Sequence, residues 1–180
     1  MSNNSQKFWN ETWAKESNRY YTHFNYICAL IPPKTKKVID VGCGVGTLLY
    51  MLRMKIPNLK VEGRDHSQVA ITKLKRRALK GKVEKLPTIT GKADVCIATE
   101  VLEHMKNDDL VLKNMAKCAP TIIVTVPDNR LGPDECDEHE RKYTADDLAK
   151  KIEKYFKKYE MYTIKGYLLC IASNKNIFKK

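Results

Sequence analysis

Acidic and imidazole side chains lie close together in the segment EVLEHM, which contains Glu100, Glu103 and His104. If this segment is helical, the i, i+3 and i+4 spacing places the three side chains on one face. Another imidazole, His139, follows in the segment DECDEHERKY. Two carboxylates and two imidazoles are suitable ligands for Mg²⁺ or Mn²⁺. These four residues are therefore candidates for a divalent-metal site.

Three glycines alternate in the segment VIDVGCGVGTLL, at Gly42, Gly44 and Gly46. They separate a strand-like run from a helix-like run, and glycine permits tight turns and the close approach of a ligand to bare backbone. The spacing differs from the dinucleotide fingerprint G-x-G-x-x-G, because Thr47 stands where a small residue is needed. A phosphate-binding loop ending in Gly-Lys-Ser/Thr does not occur in the sequence.

Each of the two strands predicted to border the glycine loop contributes an aspartate. Asp40 precedes the loop, and Asp65 ends the next strand-like run, VEGRD. Because the carboxyl ends of adjacent parallel strands meet at one edge of a sheet, we expect Asp65 to lie beside the loop. A carboxylate there can accept hydrogen bonds from both hydroxyls of a ribose, and the alternative is a turn residue at the end of a strand.

Strand-like and helix-like runs alternate from residue 37 onward, which predicts an α/β fold with a mostly parallel sheet and right-handed crossovers. The run TIIVTVP is apolar throughout, as in strands buried on both faces. Ser67, Asn107 and Thr144 are predicted N-caps of helices. Two β-rich runs around Lys165-Gly166 predict a C-terminal hairpin that adds an antiparallel edge strand.

Residues 1–30 are predicted to form a helical extension, and residues 31–180 to form the main domain. The extension is rich in aromatic residues, and Trp9 and Trp13 are four positions apart, so they share one helix face. Pro32-Pro33 ends any helix there.

The composition of the 180 residues suits a cytoplasmic protein of one domain. No apolar run approaches the roughly 20 residues of a membrane span, and the polar N-terminus does not resemble a signal peptide. The six cysteines are scattered without a CxxC pair, which argues against a disulfide framework or a zinc site. The formal net charge of +12 could favour RNA, DNA or an anionic membrane surface, or belong to a solvated lysine-rich surface.

Four segments in order, VIDVGCGVGTLL, VEGRDHS, ADVCIATEVLEHM and TVPDN…HERKYTADDL, resemble motifs of class I S-adenosylmethionine (SAM)-dependent methyltransferases. The resemblance covers about residues 35–175 and is greatest to the group of the ubiquinone-biosynthesis type, methyltransferase type 11. It implies a Rossmann-like, seven-stranded, mostly parallel sheet with helices on both faces and an antiparallel C-terminal hairpin.

The resemblance also implies roles for individual residues. Gly42, Gly44 and Gly46 would line the methionine part of SAM, and Asp40 would hold its amino group. Asp65 would bind the ribose, and His66 could stack on the adenine. Thr99 and Glu100 would border the methionine and the sulfonium. The acidic residue that usually reads the adenine amino group is out of register here, since Glu84 is only nearby.

The resemblance leaves the acceptor open. His104 or His139 is the hypothetical general base, and aromatic residues of the extension would form a lid over the acceptor. Metal-free relatives keep both EVLEH and the later histidine, so a divalent metal at Glu100, Glu103, His104 and His139 is possible but not favoured. This metal set resembles that of small-RNA 3′-terminal 2′-O-methyltransferases.

Three functions follow from the resemblance as expectations. A small-molecule acceptor methylated on oxygen, nitrogen or carbon is preferred. A metal-dependent RNA methyltransferase is the first alternative, and a SAM-binding subunit without activity of its own is the second. A dehydrogenase is disfavoured by Thr47, and the sequence does not indicate the oligomeric state.

Overall fold

A seven-stranded sheet forms the centre of the computed structural model, which describes residues 4–178; residues 1–3 and 179–180, at the outer ends of the two predicted regions, lie outside it. The strands are β1 (Lys37–Val41), β2 (Lys60–Asp65), β3 (Lys80–Val83), β4 (Val95–Thr99), β5 (Thr121–Pro127), β6 (Lys158–Ile164) and β7 (Tyr167–Ser173). The helices are α1 (Gln6–Lys15), α2 (Phe24–Leu30), α3 (Thr47–Lys55), α4 (Gln68–Arg76), α5 (Asp108–Cys118) and α6 (Ala145–Glu153).

The strands lie in the order β3-β2-β1-β4-β5-β7-β6, and the first five pair in parallel. All seven residues of β5 are buried, as expected of a central strand covered on both faces. The predicted α/β fold with its mostly parallel sheet is therefore confirmed. The hairpin at Lys165-Gly166 is also confirmed, but its antiparallel strand β7 lies inside the sheet and β6 takes the edge.

Polar caps begin three helices as predicted. The side chains of Ser67 and Asn107 accept hydrogen bonds from the backbone N–H groups of Ala70 and Leu110, both at 3.1 Å. Thr144 forms a reciprocal capping box with Asp147 at the start of α6. The helices that cover the sheet are thus defined by local chemistry.

The N-terminal region, predicted to be helical, contains two separate helices, α1 and α2. The chain leaves α1 at Glu16, where the ammonium of Lys73 on α4 donates hydrogen bonds to the carbonyls of Trp13, Ala14 and Glu16 at 2.6, 3.0 and 2.9 Å. These bonds satisfy carbonyls that the end of a helix leaves without partners. The second helix, α2, begins only at Phe24.

The segment EVLEHM contains a single 3-10 turn, Leu102–His104, and no α-helix. Glu100 has a positive φ of 53°, so the backbone reverses direction directly after β4. The i, i+3 and i+4 argument for one shared face therefore does not apply to this segment. All six cysteines are free, and none of the helices among residues 4–178 is long and apolar enough to cross a membrane.

A buried carboxylate, Asp108, ties the start of α5 to the chain that follows β5. It accepts hydrogen bonds from the Tyr143 hydroxyl, from Arg141 Nη1 at 3.1 Å and from Lys151 Nζ at 3.0 Å. Arg141 Nη2 also donates to the carbonyls of Met105 and Lys106, both at 2.8 Å. The segment that carries His139 is thereby held against the turn that carries His104.

We expect Asp108→Asn to lower the free energy of unfolding by about 3 kcal/mol, because it removes the buried counter-charge of Arg141 and leaves Lys151 only the more distant carboxylate of Asp109, at 3.6 Å. Asp109→Asn is the matched control: it lies in the same helical turn, but its side chain is 38% exposed and pairs with the exposed Lys154 at 3.1 Å and with Lys151 only at 3.6 Å. That variant should lose less than about 1 kcal/mol. Urea unfolding measures both values, and equal losses would contradict the role of Asp108.

Candidate functional site

A cavity of about 500 Å³ lies at the carboxyl ends of β1, β2 and β4, with α1 across it. In open α/β sheets this edge is where ligands bind. Predicted site residues meet there from three strands and one loop. The lining includes Asp40, Gly42, Gly44, Asp65, His66, Thr99, Glu100 and His104.

The glycine loop has a left-handed backbone at Gly42, Gly44 and Gly46, with φ of 70°, 51° and 80°. A Cβ on Gly42 would lie 2.4 Å from Cγ2 of Val101, and one on Gly44 would lie 2.5 Å from Cη2 of Trp13. Any side chain at Gly42 or Gly44 would therefore collide with Val101 or Trp13, so both positions require glycine. Gly46 is the N-cap of α3 and is not part of the cavity lining.

The Asp65 carboxylate stands at the end of β2 and holds two backbone N–H groups. Oδ2 accepts from Gly44 at 2.9 Å, and Oδ1 accepts from Ser67 at 2.8 Å. The side chain is buried, and this burial raises the pKa of Asp65 in spite of the two N–H donors. Asp65 thus shapes the glycine loop and also faces the cavity.

Asp40, in β1, is almost completely buried at 1% exposure, and its Oδ1 has no hydrogen-bond partner among the described residues. Burial, and then the negative charge of Asp65, hold the pKa of Asp40 well above its usual range. A buried carboxyl without a partner is costly unless a ligand completes its hydrogen bonds. Asp40 is therefore the carboxyl in this cavity that most needs a cation or a donor.

His66 and Glu84 line the cavity beyond Asp65. Glu84 follows β3 directly and is buried, so it comes nearer to the site than its sequence register indicated. Its carboxylate is used within its own loop, because Oε1 accepts the N–H of Thr90 at 2.8 Å and lies 3.5 Å from Nε of Arg64.

The carboxylate of Glu100 turns away from the EVLEHM turn and towards β5. It accepts a hydrogen bond from the Thr125 hydroxyl at 2.8 Å, while the Glu100 N–H donates to the Thr125 carbonyl at 3.1 Å. Burial raises the pKa of Glu100 to about 7. Thr99 and Glu100 both line the cavity, as predicted for the end of β4.

Glu103, His104 and His139 come together, with one possible ligand atom of each within 4.8 Å of the others, and Glu100 is not part of this group. Glu103 is 1% exposed, and neither of its carboxylate oxygens has a hydrogen-bond partner among residues 4–178. Burial, and then the charge of Glu100, raise the pKa of Glu103 well above its usual range.

Both imidazoles of this group are oriented by backbone carbonyls. Nδ1 of His104 lies 2.9 Å from the Glu138 carbonyl, and Nδ1 of His139 is bonded to the Leu131 carbonyl. A carbonyl only accepts, so Nδ1 carries the proton in each neutral ring and Nε2 is left as the acceptor. Burial lowers the pKa of His104 to about 4, so this ring is neutral near pH 7.

Aromatic side chains of the N-terminal extension form one wall of the cavity. Trp9 and Trp13 are stacked with ring centroids 6.4 Å apart, and Trp9 meets the His104 ring edge-on at 5.3 Å. Tyr21 also lines the cavity, whereas Tyr20 is 48% exposed and is absent from the lining. The lid role of residues 1–30 stays a prediction.

Arg19 lines the cavity and was missed by the sequence analysis. Its guanidinium lies 4.9 Å from the centroid of the Trp13 ring and is paired with Glu16. The signal in the sequence was a single cation among the aromatic residues of ESNRYY, which no local rule singles out.

The strand order and a glycine loop flanked by buried acidic residues define a class I SAM-dependent methyltransferase fold. The chain belongs to the family described as the methyltransferase domain, whose model matches residues 10–173.

Known relatives are distant. The trans-aconitate 2-methyltransferase of Variovorax paradoxus (strain S110) is 27% identical over 116 residues, which are 59% of this chain and 45% of the relative. The chain spans less than half the length of the curated relatives that it matches.

Two solved structures share the fold at low identity. The magnesium protoporphyrin IX methyltransferase of Synechocystis PCC 6803 with bound S-adenosylhomocysteine (SAH) has a TM-score of 0.71, with 17% identity over 96% of both chains. The methyltransferase domain of bacterial CtHen1-C has a TM-score of 0.70, with 20% identity over 84% of this chain and 96% of that one.

We expect Asp40→Asn to stabilise the free protein increasingly as the pH rises. A raised pKa means that the folded state binds the proton more tightly than the unfolded chain does, so ionisation at higher pH costs stability that asparagine does not lose. Urea unfolding in mildly acidic and in alkaline buffer measures the difference.

Asp94→Asn is the control with the opposite sign. The N–H of Lys36 donates to the Asp94 carboxylate and lowers its pKa; desolvation opposes this effect, and the N–H of Lys37 adds to it. The Asp94 carboxylate therefore stabilises the fold above its unfolded pKa, and this stabilisation is lost in acid. This variant should lose stability at neutral pH. A loss of the same sign in Asp40→Asn would contradict the assignment.

Proposed function

We propose that the protein is a SAM-dependent methyltransferase that methylates a small-molecule acceptor on oxygen, nitrogen or carbon. The observation that carries this proposal is the pair of buried carboxyls, Asp40 and Asp65, on either side of a bare glycine loop. Two carboxyls beside the loop suit a cofactor that carries ribose hydroxyls and a cationic amino-acid part.

The described residues fit the cofactor group by group. Asp65 keeps lone pairs for the ribose hydroxyls beyond its two N–H bonds. Asp40, with an oxygen that lacks a partner, would take the amino group. Arg19 supplies a cation on the same cavity wall for the carboxylate of the methionine part.

The remaining cofactor residues extend this assignment. His66 and the loop after β3 would contact the adenine, and Thr99 and Glu100 would border the methionine and the sulfonium. Gly42 and Gly44 would face the methionine part, while Gly46 contributes by starting α3.

SAM supplies an electrophilic methyl group on a good leaving group. The protein then needs chiefly to align the acceptor, and orientation alone is worth roughly 7–11 kcal/mol in well-aligned models. Trp9 and Trp13 line the cavity and would exclude water from a bound acceptor. Nε2 of His104 is free to take a proton if the acceptor must lose one, and His139 packs against that ring with centroids 4.7 Å apart.

We assign the acceptor to the part of the cavity near Trp9 and His104. The segment between β5 and α6 that borders it, residues 128–144, is too short to form a substrate domain. The trans-aconitate relative acts on a small molecule, in agreement with this proposal.

The first test is methyl transfer from radiolabelled SAM into a fractionated cell extract, with and without a chelator. We expect label in the small-molecule fraction that is insensitive to the chelator. Label in neither fraction, together with tight SAH binding, would instead support a SAM-binding partner subunit without activity of its own.

The control for cofactor binding is the affinity for SAH measured by calorimetry. Asp65→Ala removes charge-assisted hydrogen bonds worth roughly 1.5–3 kcal/mol, and this loss weakens binding by about 10- to 150-fold. Asp65→Asn keeps the size and one of the two acceptor oxygens that hold Gly44 and Ser67, so it should weaken SAH binding less than Asp65→Ala does. An affinity unchanged in both variants would remove the ribose assignment.

A second candidate function is metal-dependent methylation of RNA. The specific observation in its favour is Glu103, a buried carboxyl without hydrogen-bond partners, grouped with the imidazoles of His104 and His139; Nε2 of His104 lies 3.9 Å from its Oε1. Ligating histidines typically donate their other N–H to a carbonyl, as His104 and His139 do. The net charge of +12 suits a polyanionic substrate.

Mn²⁺ binding measured by electron paramagnetic resonance tests this candidate without an acceptor. If it is correct, the wild-type protein binds Mn²⁺ and Glu103→Gln does not, because the neutral amide is a poor ligand for this cation. Glu135→Gln is the control, since Glu135 is exposed and pairs with Lys142. Absence of Mn²⁺ binding by the wild-type protein, or transferred label that resists nuclease, would contradict the candidate.

A further inference from the structure

The side chain of Asn4 bridges the two segments that form the acceptor side of the cavity. Its Nδ2 donates to the Glu138 carbonyl at 2.7 Å and to the His104 carbonyl at 3.2 Å. The Glu138 carbonyl is the same oxygen that accepts from Nδ1 of His104 at 2.9 Å. One carbonyl oxygen, with two lone pairs, therefore serves both the His104 ring and Asn4.

A second contact of the N-terminal segment, defined here as residues 4–18, fixes the same ring. Trp9 stands edge-on to the His104 imidazole, with an interplanar angle of 84°. The imidazole is thus placed by a carbonyl that Asn4 helps to hold and by the indole of Trp9, five residues further along the chain. Among the described residues, no side chain of α5 or α6 makes a hydrogen bond or a ring contact with the His104 imidazole.

The other contacts of the N-terminal segment lie on the cofactor side of the cavity. Gln6 donates to the His66 carbonyl at 2.5 Å, and Asn10 Oδ1 accepts from the Ser67 hydroxyl at 2.7 Å. Trp13 packs on Gly44 of the glycine loop. A single segment therefore contacts both the residues assigned to the cofactor and the imidazole assigned to the acceptor.

We propose that Asn4 is a positioning residue for His104, and that closure of the N-terminal segment over the cofactor side sets the orientation of this imidazole. The proposal rests on the proposed function for the identity of the cofactor. On this proposal, His104 reaches its orientation only when the N-terminal segment covers the cofactor side. The cofactor therefore binds before the acceptor. Asn4 acts through His104 and does not touch the reacting atoms.

The test follows the imidazole nitrogens of His104 by long-range ¹H–¹⁵N NMR at neutral pH, with and without SAH. In the wild-type protein with SAH we expect the pattern of a single tautomer with the proton on Nδ1. In Asn4→Ala we expect the His104 nitrogen shifts to move towards the average of two tautomers, while the His139 shifts stay unchanged, because Nδ1 of His139 is held by Leu131.

Two further variants keep the test specific. Asn4→Asp keeps the shape but places a carboxylate against the carbonyls of His104 and Glu138, so it should displace the His104 shifts at least as far as Asn4→Ala does. Glu11→Gln changes an exposed residue of α1 and should give the wild-type pattern. His104 shifts in Asn4→Ala and Asn4→Asp that equal those of the wild-type protein would overturn the proposal.

The two proposals fail separately in this experiment. If the wild-type protein does not bind SAH, the proposed function fails, but the comparison of free wild-type protein with Asn4→Ala still tests the positioning role. If SAH binds and the His104 shifts do not differ between free and bound protein, the coupling between cofactor and imidazole is wrong.

Discussion

The carboxylate of Asp65 joins the glycine loop to the beginning of α4. One oxygen holds the N–H of Gly44 and the other holds the N–H of Ser67, so two segments that are 23 residues apart share one anchor. Ser67 in turn caps α4 and bonds to Asn10 of α1. The shape of the loop, the start of α4 and the seat of α1 therefore depend on one buried group, which is also the group assigned to the ribose.

The floor of the cavity is acidic although the whole chain is basic. Asp40, Asp65 and Glu100 line it, Glu103 lies behind them, and burial raises the pKa of each. Such an arrangement costs stability in the free protein and favours cationic ligands, because their charge replaces the lost solvation. A sulfonium with an amino group meets this requirement, whereas an anionic dinucleotide does not.

Local patterns were sufficient for most of the fold and for the cofactor side of the site. Strand periodicity, caps at Ser67, Asn107 and Thr144, and the acidic end of β2 depend on neighbours in the sequence, so the sequence reveals them. The break after α1 depends on Lys73, which lies about 60 residues away, and no local rule predicts it.

The acceptor side of the site was predicted less well, because it also depends on contacts between distant parts of the sequence. The prediction that Glu100, Glu103 and His104 share one face assumed a helix, and the positive φ of Glu100 interrupts it. The Glu100 carboxylate also points towards β5, where it accepts a hydrogen bond from Thr125. His139 reaches Glu103 and His104 through a segment held by long-range hydrogen bonds, including those of Asp108. Contacts of this kind arise from packing and leave no periodic signal.

The attachment of α1 to α4 through Lys73 has a kinetic consequence. Three carbonyls at the end of α1 share one ammonium, so the three hydrogen bonds break together when this side chain withdraws. The C-terminal end of α1 is then released as a unit, while Gln6, Asn10 and Trp13 still hold the rest of the helix. A molecule beneath Trp9 and Trp13 would leave only after both sets of contacts are broken, which makes product exit a candidate for the slowest event in turnover.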